Sequence, residues 1–171
     1  MIKRGKKAQI LGMPFSVIFS IILIVFFIVA AIIAIKLFWN PSGCGYSEQA
    51  QQATFKQNLQ TAIDDAWYSD KSSSSFKINL PSQVEKICFL DLNKAEKGKD
   101  SEIYDSLTLY SQSKNNFYLY PGNKACEGFR GLIIEHLNIS EITKQNNPLC
   151  FDNPSSLKIE KSFYDALVKI S

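Results

Sequence analysis

The stretch Ile10–Ile35, ILGMPFSVIFSIILIVFFIVAAIIAI, contains no charged side chain and governs the reading of everything after it. As a helix rising about 1.5 Å per residue, it would outreach the roughly 30 Å hydrocarbon core of a bilayer. Ser16 and Ser20 lie inside it, and each hydroxyl can bond back to a carbonyl of its own helix. A helix apolar on every side has no face for water, and a chain of 171 residues cannot build a core around it. The segment is therefore expected to cross a membrane, with the lipid bilayer as its partner. Pro14 falls near the start, where a missing amide donor costs nothing. Lys36, Phe38 and Trp39 suit the lipid–water interface at the other end. A cleaved secretory signal would have an apolar region of about 7–15 residues ending in small residues, whereas Ala30-Ala31 lies deep within this run.

Charge orients the span. Lys3, Arg4, Lys6 and Lys7 precede it without an acid among them, and after it Lys36 stands alone until Lys56. The side richer in cations stays cytoplasmic, so the expectation is a single-pass cell-membrane protein with its N-terminus inside and the chain from about Asn40 outside. The formal charge of +3 hides this division. Residues 1–36 hold five cations and no acid, which leaves 14 cations against 16 acids beyond them, a balance of −2. No basic stripe for nucleic acid is present in that remainder. The expected organisation is a basic tail over 1–9, a transmembrane helix over 10–39, a juxtamembrane linker over 40–46 and an extracytoplasmic domain over 47–171.

Cys44, Cys88, Cys126 and Cys150 all fall on the outer side, and an even count in an oxidising compartment reads as disulfides. Each bridge would contribute about 3–4 kcal/mol in the chain-entropy account. Three pairings are possible. Cys88 in KICFLD and Cys150 in PLCFDN share a strand-like context, which favours Cys88–Cys150 with Cys44–Cys126. Without a C-x-x-C spacing, and with His136 the only histidine, a zinc site is the poorer reading.

Past the Asn40–Gly45 break, apolar residues at Phe55, Leu59, Ala62, Ile63, Ala66 and Trp67 predict a helix over Ser47–Ser69, capped by Ser47. Gln51, Gln52, Lys56, Gln60 and Asp64 mark its opposite, solvated face. Asp70–Ser75, with its four serines, reads as a polar loop. Strands are expected at Phe76–Leu80, Lys86–Leu92, Asn116–Tyr120, Gly131–Asn138, Leu149–Phe151, Leu157–Glu160 and Ala166–Ile170. A charged loop covers Asn93–Asp100, a short helix runs over about Ser101–Ser111, and turns fall at Pro121–Asn123 and Asn146–Pro148. The class is α+β: one amphipathic helix packed on a mainly antiparallel sheet.

Sequence motifs for chemistry are few. His136, in a strand-like stretch beside Glu135, is expected to face solvent or to be held by structural hydrogen bonds. Asp64-Asp65 and Glu141 lack the spacing of a calcium loop and fit a solvated helix face. Asn138-Ile139-Ser140 matches a glycosylation acceptor. Phe117, Tyr118 and Tyr120, with Trp67 and Tyr68, fit two faces of a strand and one helix end better than a binding surface. No phosphate loop, nucleophile elbow, H-E-x-x-H or dinucleotide fingerprint occurs, so no catalytic residue, metal or cofactor is assigned.

Lys6-Lys7-Ala8-Gln9 ahead of a long apolar helix resembles the class III signal of archaeal type IV pilins and archaellins. The resemblance implies cleavage between Ala8 and Gln9, with Ile10–Ile35 packing as an assembly helix against other pilus or surface-complex subunits. It covers about the first 35 residues. The glutamate common at the fifth mature position would fall at Met13, and Gly12-Met13-Pro14 and the break at Pro41–Gly45 replace a continuous helix. Together these readings predict a membrane-anchored surface protein of structural or binding type. The alternative is a membrane-tethered enzyme or an accessory subunit of a membrane complex.

Overall fold

The computed structural model describes residues 12–38 and 44–171, with side chains of the first helix described over 17–35. The expected cleavage point Ala8–Gln9, Trp39 at the end of the expected span and linker residues 40–43 lie outside the described residues. The chain divides into two units, Met1–Pro41 and Ser42–Ser171.

The first unit contains α1, Gly12–Phe38. No acid lies in its first turn, and no side chain from Val17 to Ile35 is buried. Its apolar residues are distributed around the whole helix rather than along one stripe, the pattern of a helix without a water-facing side.

The second unit is α+β. Its elements are α2 (Tyr46–Tyr68), β1 (Ser72–Ile78), β2 (Lys86–Phe89), a 3₁₀ turn (Ser101–Ile103) running into α3 (Tyr104–Thr108), β3 (Phe117–Tyr120), β4 (Gly131–Leu132), α4 (Ile139–Ile142), β5 (Leu149–Asp152), β6 (Ser155–Lys161) and β7 (Lys169–Ile170). All strand pairs are antiparallel, and they form two sheets rather than one: β1-β6-β7 and β4-β3-β2-β5.

One core joins both sheets to α2. Phe55, Leu59, Ile63 and Ala66 recur every three or four residues and are buried against Ile78, Leu157 and Ile159 of the first sheet and Ile87, Phe89, Phe117 and Leu119 of the second. Fully burying a side chain of this size stabilises by about 1.5–3 kcal/mol. Phe55 sits at the junction, its ring centroid 5.7 Å from Phe76 and 6.3 Å from Phe117.

The second sheet is covered on its other face too. Alternation along β2 and β3 turns Cys88 and Tyr118 away from the main core, where Leu90, Ile103 and Leu107 close over them. Lys86 anchors that cover through Asp100 at 2.8 Å. This hydrogen bond raises the lysine pKa above its ordinary 10.5 against the opposing effect of burial. Two asparagines, Asn147 buried and Asn153 half-buried, tie the connecting loops. The Asn147 amide nitrogen donates to the carbonyls of Asp91, Lys94 and Ala95. Asn153 does the same for Leu80, Pro81 and Val84.

Several local expectations are corrected. The helix begins one residue before Ser47, at Tyr46, because Glu48 reaches back to accept the Gly45 N–H at 2.6 Å and serves the helix start in place of a serine hydroxyl. The four serines are strand, not loop: Ser72–Ser75 pair with Lys158–Lys161 of β6. The pairing holds them because the β1–β6 register is set by Phe76, Ile78, Leu157 and Ile159 on the buried side. Gly131–Asn138 is strand only at Gly131–Leu132. Beyond it the Asn116 side chain stands in for a neighbouring strand, bonding Ile134 N at 2.9 Å and Ile134 O at 2.8 Å. The helix expected over Ser101–Ser111 is the shorter 3₁₀–α3 pair, and the final strand is confined to Lys169–Ile170.

Candidate functional site

The helix face expected to be solvated is occupied in part: Gln51 is exposed, but Gln52, Gln60 and Asp64 meet other segments. Gln52 is 2% exposed, and its amide oxygen accepts the Cys126 N–H at 3.0 Å. Two to four turns further along α2, Gln60, Asp64 and Trp67 line up beneath the loop that carries His136. Gln60 accepts the Glu135 N–H at 3.0 Å and donates to Asp64 Oδ1 at 2.8 Å. Asp64 Oδ1 also meets His136 Nδ1 at 2.9 Å. The imidazole lies flat on Trp67, with ring centroids 3.8 Å apart and an interplanar angle of 2°. Trp67 Nε1 donates in turn to Ala166 O at 3.1 Å.

His136 is therefore not a strand residue. Its φ of 63° places it in the left-handed region, where a non-glycine residue is uncommon. The conformation is held from both sides: Val168 N donates to His136 O, Asn138 N donates to Val168 O, and the ring is fixed by Asp64 and Trp67. In a neutral ring with Nδ1–H donated to the carboxylate, Nε2 is left as an acceptor.

This is two-thirds of a base-and-orienter arrangement, and nucleophilic catalysis needs a hydroxyl or thiol on the free ring nitrogen. All four thiols are consumed: Cys44 pairs with Cys126, Cys88 with Cys150, and no cysteine is free. No hydroxyl bonds the ring among the described residues. The geometry instead joins α2 to the 133–138 loop by a carboxylate, an aromatic face and an amide. The signal available in the sequence was the spacing Gln60, Asp64, Trp67, which keeps three polar-tipped side chains on one face; its partners lie about 70 residues away and carry no local mark.

The other expected residues separate. Asn138 caps α4, its side-chain oxygen accepting the Glu141 N–H at 3.2 Å, and Ser140 Oγ accepts from Lys94 Nζ at 2.9 Å. Glu141 pairs with Lys144 at 3.3 Å. Asp65 is exposed. Phe117 and Tyr118 occupy opposite faces of β3, Tyr120 is half-buried, and Tyr68 stands in solvent. Among the described residues no cluster of three His, Cys, Asp or Glu side chains can hold a metal ion.

The Cys88–Cys150 bridge joins directly opposed residues of β2 and β5. Cys44–Cys126 ties the chain just before α2 to the segment after β3, across 82 residues. No family model, no curated protein and no solved structure matches this chain.

Proposed function

We propose that the protein is a membrane-anchored surface subunit of structural or binding type, with its disulfide-bonded domain outside the cell. The observation that carries this reading is the fully exposed apolar surface of Val17–Ile35 joined in one chain to a domain with two disulfides. Exposing that much hydrocarbon to water is unfavourable by about 25 cal/mol per Å², so a lipid or protein environment must cover it. The preceding basic residues favour a cytoplasmic N-terminus, and the disulfides favour an oxidising compartment for the rest.

This reading takes two forms, a lone anchored domain or a pilin-like subunit in which α1 serves as the assembly helix, packing against the same helix of other copies or of related surface-complex subunits. Sequencing the N-terminus of the native protein tests it. A first residue of Gln9 supports a processed, pilin-like subunit, whereas an intact Met1 removes that role and leaves a lone anchored domain. Orientation is tested separately by adding protease to cells stripped of their wall. Digestion of the C-terminal domain is expected, and its protection would reverse the topology. The enzyme alternative rests on the Asp64–His136 pair, which lacks a hydroxyl or thiol partner among the described residues.

A further inference from the structure

Arg130, the only arginine among the described residues, sits where a guanidinium should have a counter-charge and has none. It is half-buried, its Nε is shut off from solvent without a hydrogen-bond partner, and no ion pair among the described residues includes it. Glu127, three residues earlier, forms no ion pair among the described residues either. A buried N–H without a partner marks a place where an ion or water belongs.

The surroundings hold the guanidinium still. Its Cζ lies 5.2 Å from the centroid of the Tyr110 ring, a cation–π contact. That ring is locked in turn by Gly122, where a Cβ would collide with it. Gly131 lets the Tyr110 carbonyl and the Asn115 amide approach more closely than any side chain would allow. The segment carrying Arg130 is fixed at both ends. Cys126 is bridged to Cys44, Phe129 N donates to Cys126 O, and Gly131 pairs with Tyr118 in the sheet. Beside Arg130 lies a cavity of about 160 Å³ lined by Tyr110, Gln112, Gly128 and Gly131. Gln112 brings an amide with no partner among the described residues, and Gly128, at φ 88°, leaves open space beside the backbone.

We propose that this niche binds a carboxylate, seated on the planar fork of Arg130 with the Tyr110 ring as backing and Gln112 at its rim. A planar, bidentate acceptor matches a guanidinium better than a spherical ion does, and the cavity admits the head of a small organic acid rather than a folded chain. The same chemistry is offered by a free organic acid and by an acidic sugar. The site is independent of the anchor and pilin readings, since it lies wholly within the Ser42–Ser171 unit.

The test is a titration of the full chain in detergent micelles, following the Nε–H resonance of Arg130 by ¹H–¹⁵N spectroscopy. It is the arginine Nε–H resonance that remains in Arg4→Lys, Arg4 being the other arginine of the chain. Sodium acetate and sodium glucuronate are the probes, with sodium chloride and sodium sulfate at matched ionic strength as controls. Saturable displacement by acetate and glucuronate alike supports a general carboxylate site; saturation by glucuronate alone supports the site and assigns it to a sugar acid. A linear drift with every salt, or saturation by sulfate alone, overturns the proposal. Arg130→Lys keeps the charge but not the fork, so affinity measured by calorimetry should fall at least about tenfold. Unchanged affinity in a Lys variant with wild-type thermal midpoint would also overturn it. The wild-type titration decides the matter even where that variant fails to fold.

Discussion

β2 and β3 read KICF and FYLY and bury apolar side chains on both faces of their sheet, whereas β1 of the other sheet reads SSSSFKI and buries only Ile78 fully. Both sheets contribute to the same core, yet only the second is covered again on its far side, by the 3₁₀ turn and α3. The first offers that side to water as Ser73, Ser75 and Lys77, paired with Glu160, Lys158 and Ser156. The difference shows two ways of holding a strand. One is packed from both sides and clasped by a disulfide; the other is held by backbone pairing and a few inward residues near one end.

The largest expected effect tests the covered sheet. Phe117→Ala opens a cavity between α2 and the sheet and should cost about 3–5 kcal/mol, read from denaturant unfolding monitored by circular dichroism. A loss below about 1 kcal/mol would mean that this sheet is not the packed one. Replacing both Cys88 and Cys150 by alanine should cost about 2–5 kcal/mol under non-reducing conditions.

Alkaline titration sharpens the contrast. Burial pushes the Tyr118 phenol up to about 12 from its ordinary 10. The unfolded chain therefore ionises first, and this contribution is complete below pH 10 and lost progressively as pH rises toward 12. The gap corresponds to about 3 kcal/mol of stability, and Tyr118→Phe should flatten that part of the profile. The exposed sheet shows the opposite dependence at Asp165. Its hydrogen bond from Lys169 holds the carboxyl below 3.8, so its contribution is present above that value and fades on acidification. The smallest effect belongs to the outer face itself: Ser75→Val should change stability by no more than about 0.5 kcal/mol, since it touches no buried group.

The same contrast explains what sequence patterns disclosed. Lys86–Phe89 and Phe117–Tyr120 announce themselves because strands covered on both faces read as unbroken apolar runs. Ser72–Ser75 carries no such signal: serine favours turns, and only the pairing with Ser155–Lys161 makes it a strand. α2 was legible from Phe55, Leu59 and Ile63, but the fate of Gln52, Gln60 and Asp64 was not. Polar residues on a helix look solvated whether they meet water or a distant loop. The left-handed backbone at His136 is likewise invisible, because its causes, Asp64, Trp67 and Val168, are scattered along the chain. The Arg130 niche depends on Gly122 and Gly131 lying beside Tyr110, an adjacency created only by folding.

The Cys44–Cys126 bridge has a mechanical consequence. Tension entering the second unit from its N-terminal side meets a covalent shortcut at Cys44, ahead of α2, and passes directly to the segment after β3. The intervening chain, a separation of 82 residues with a contour of about 290 Å at roughly 3.5 Å per residue, is removed from the load path. A pull can therefore extend the backbone only beyond Cys126, and the Cys88–Cys150 bridge fastens the bypassed β2 to β5 within that portion.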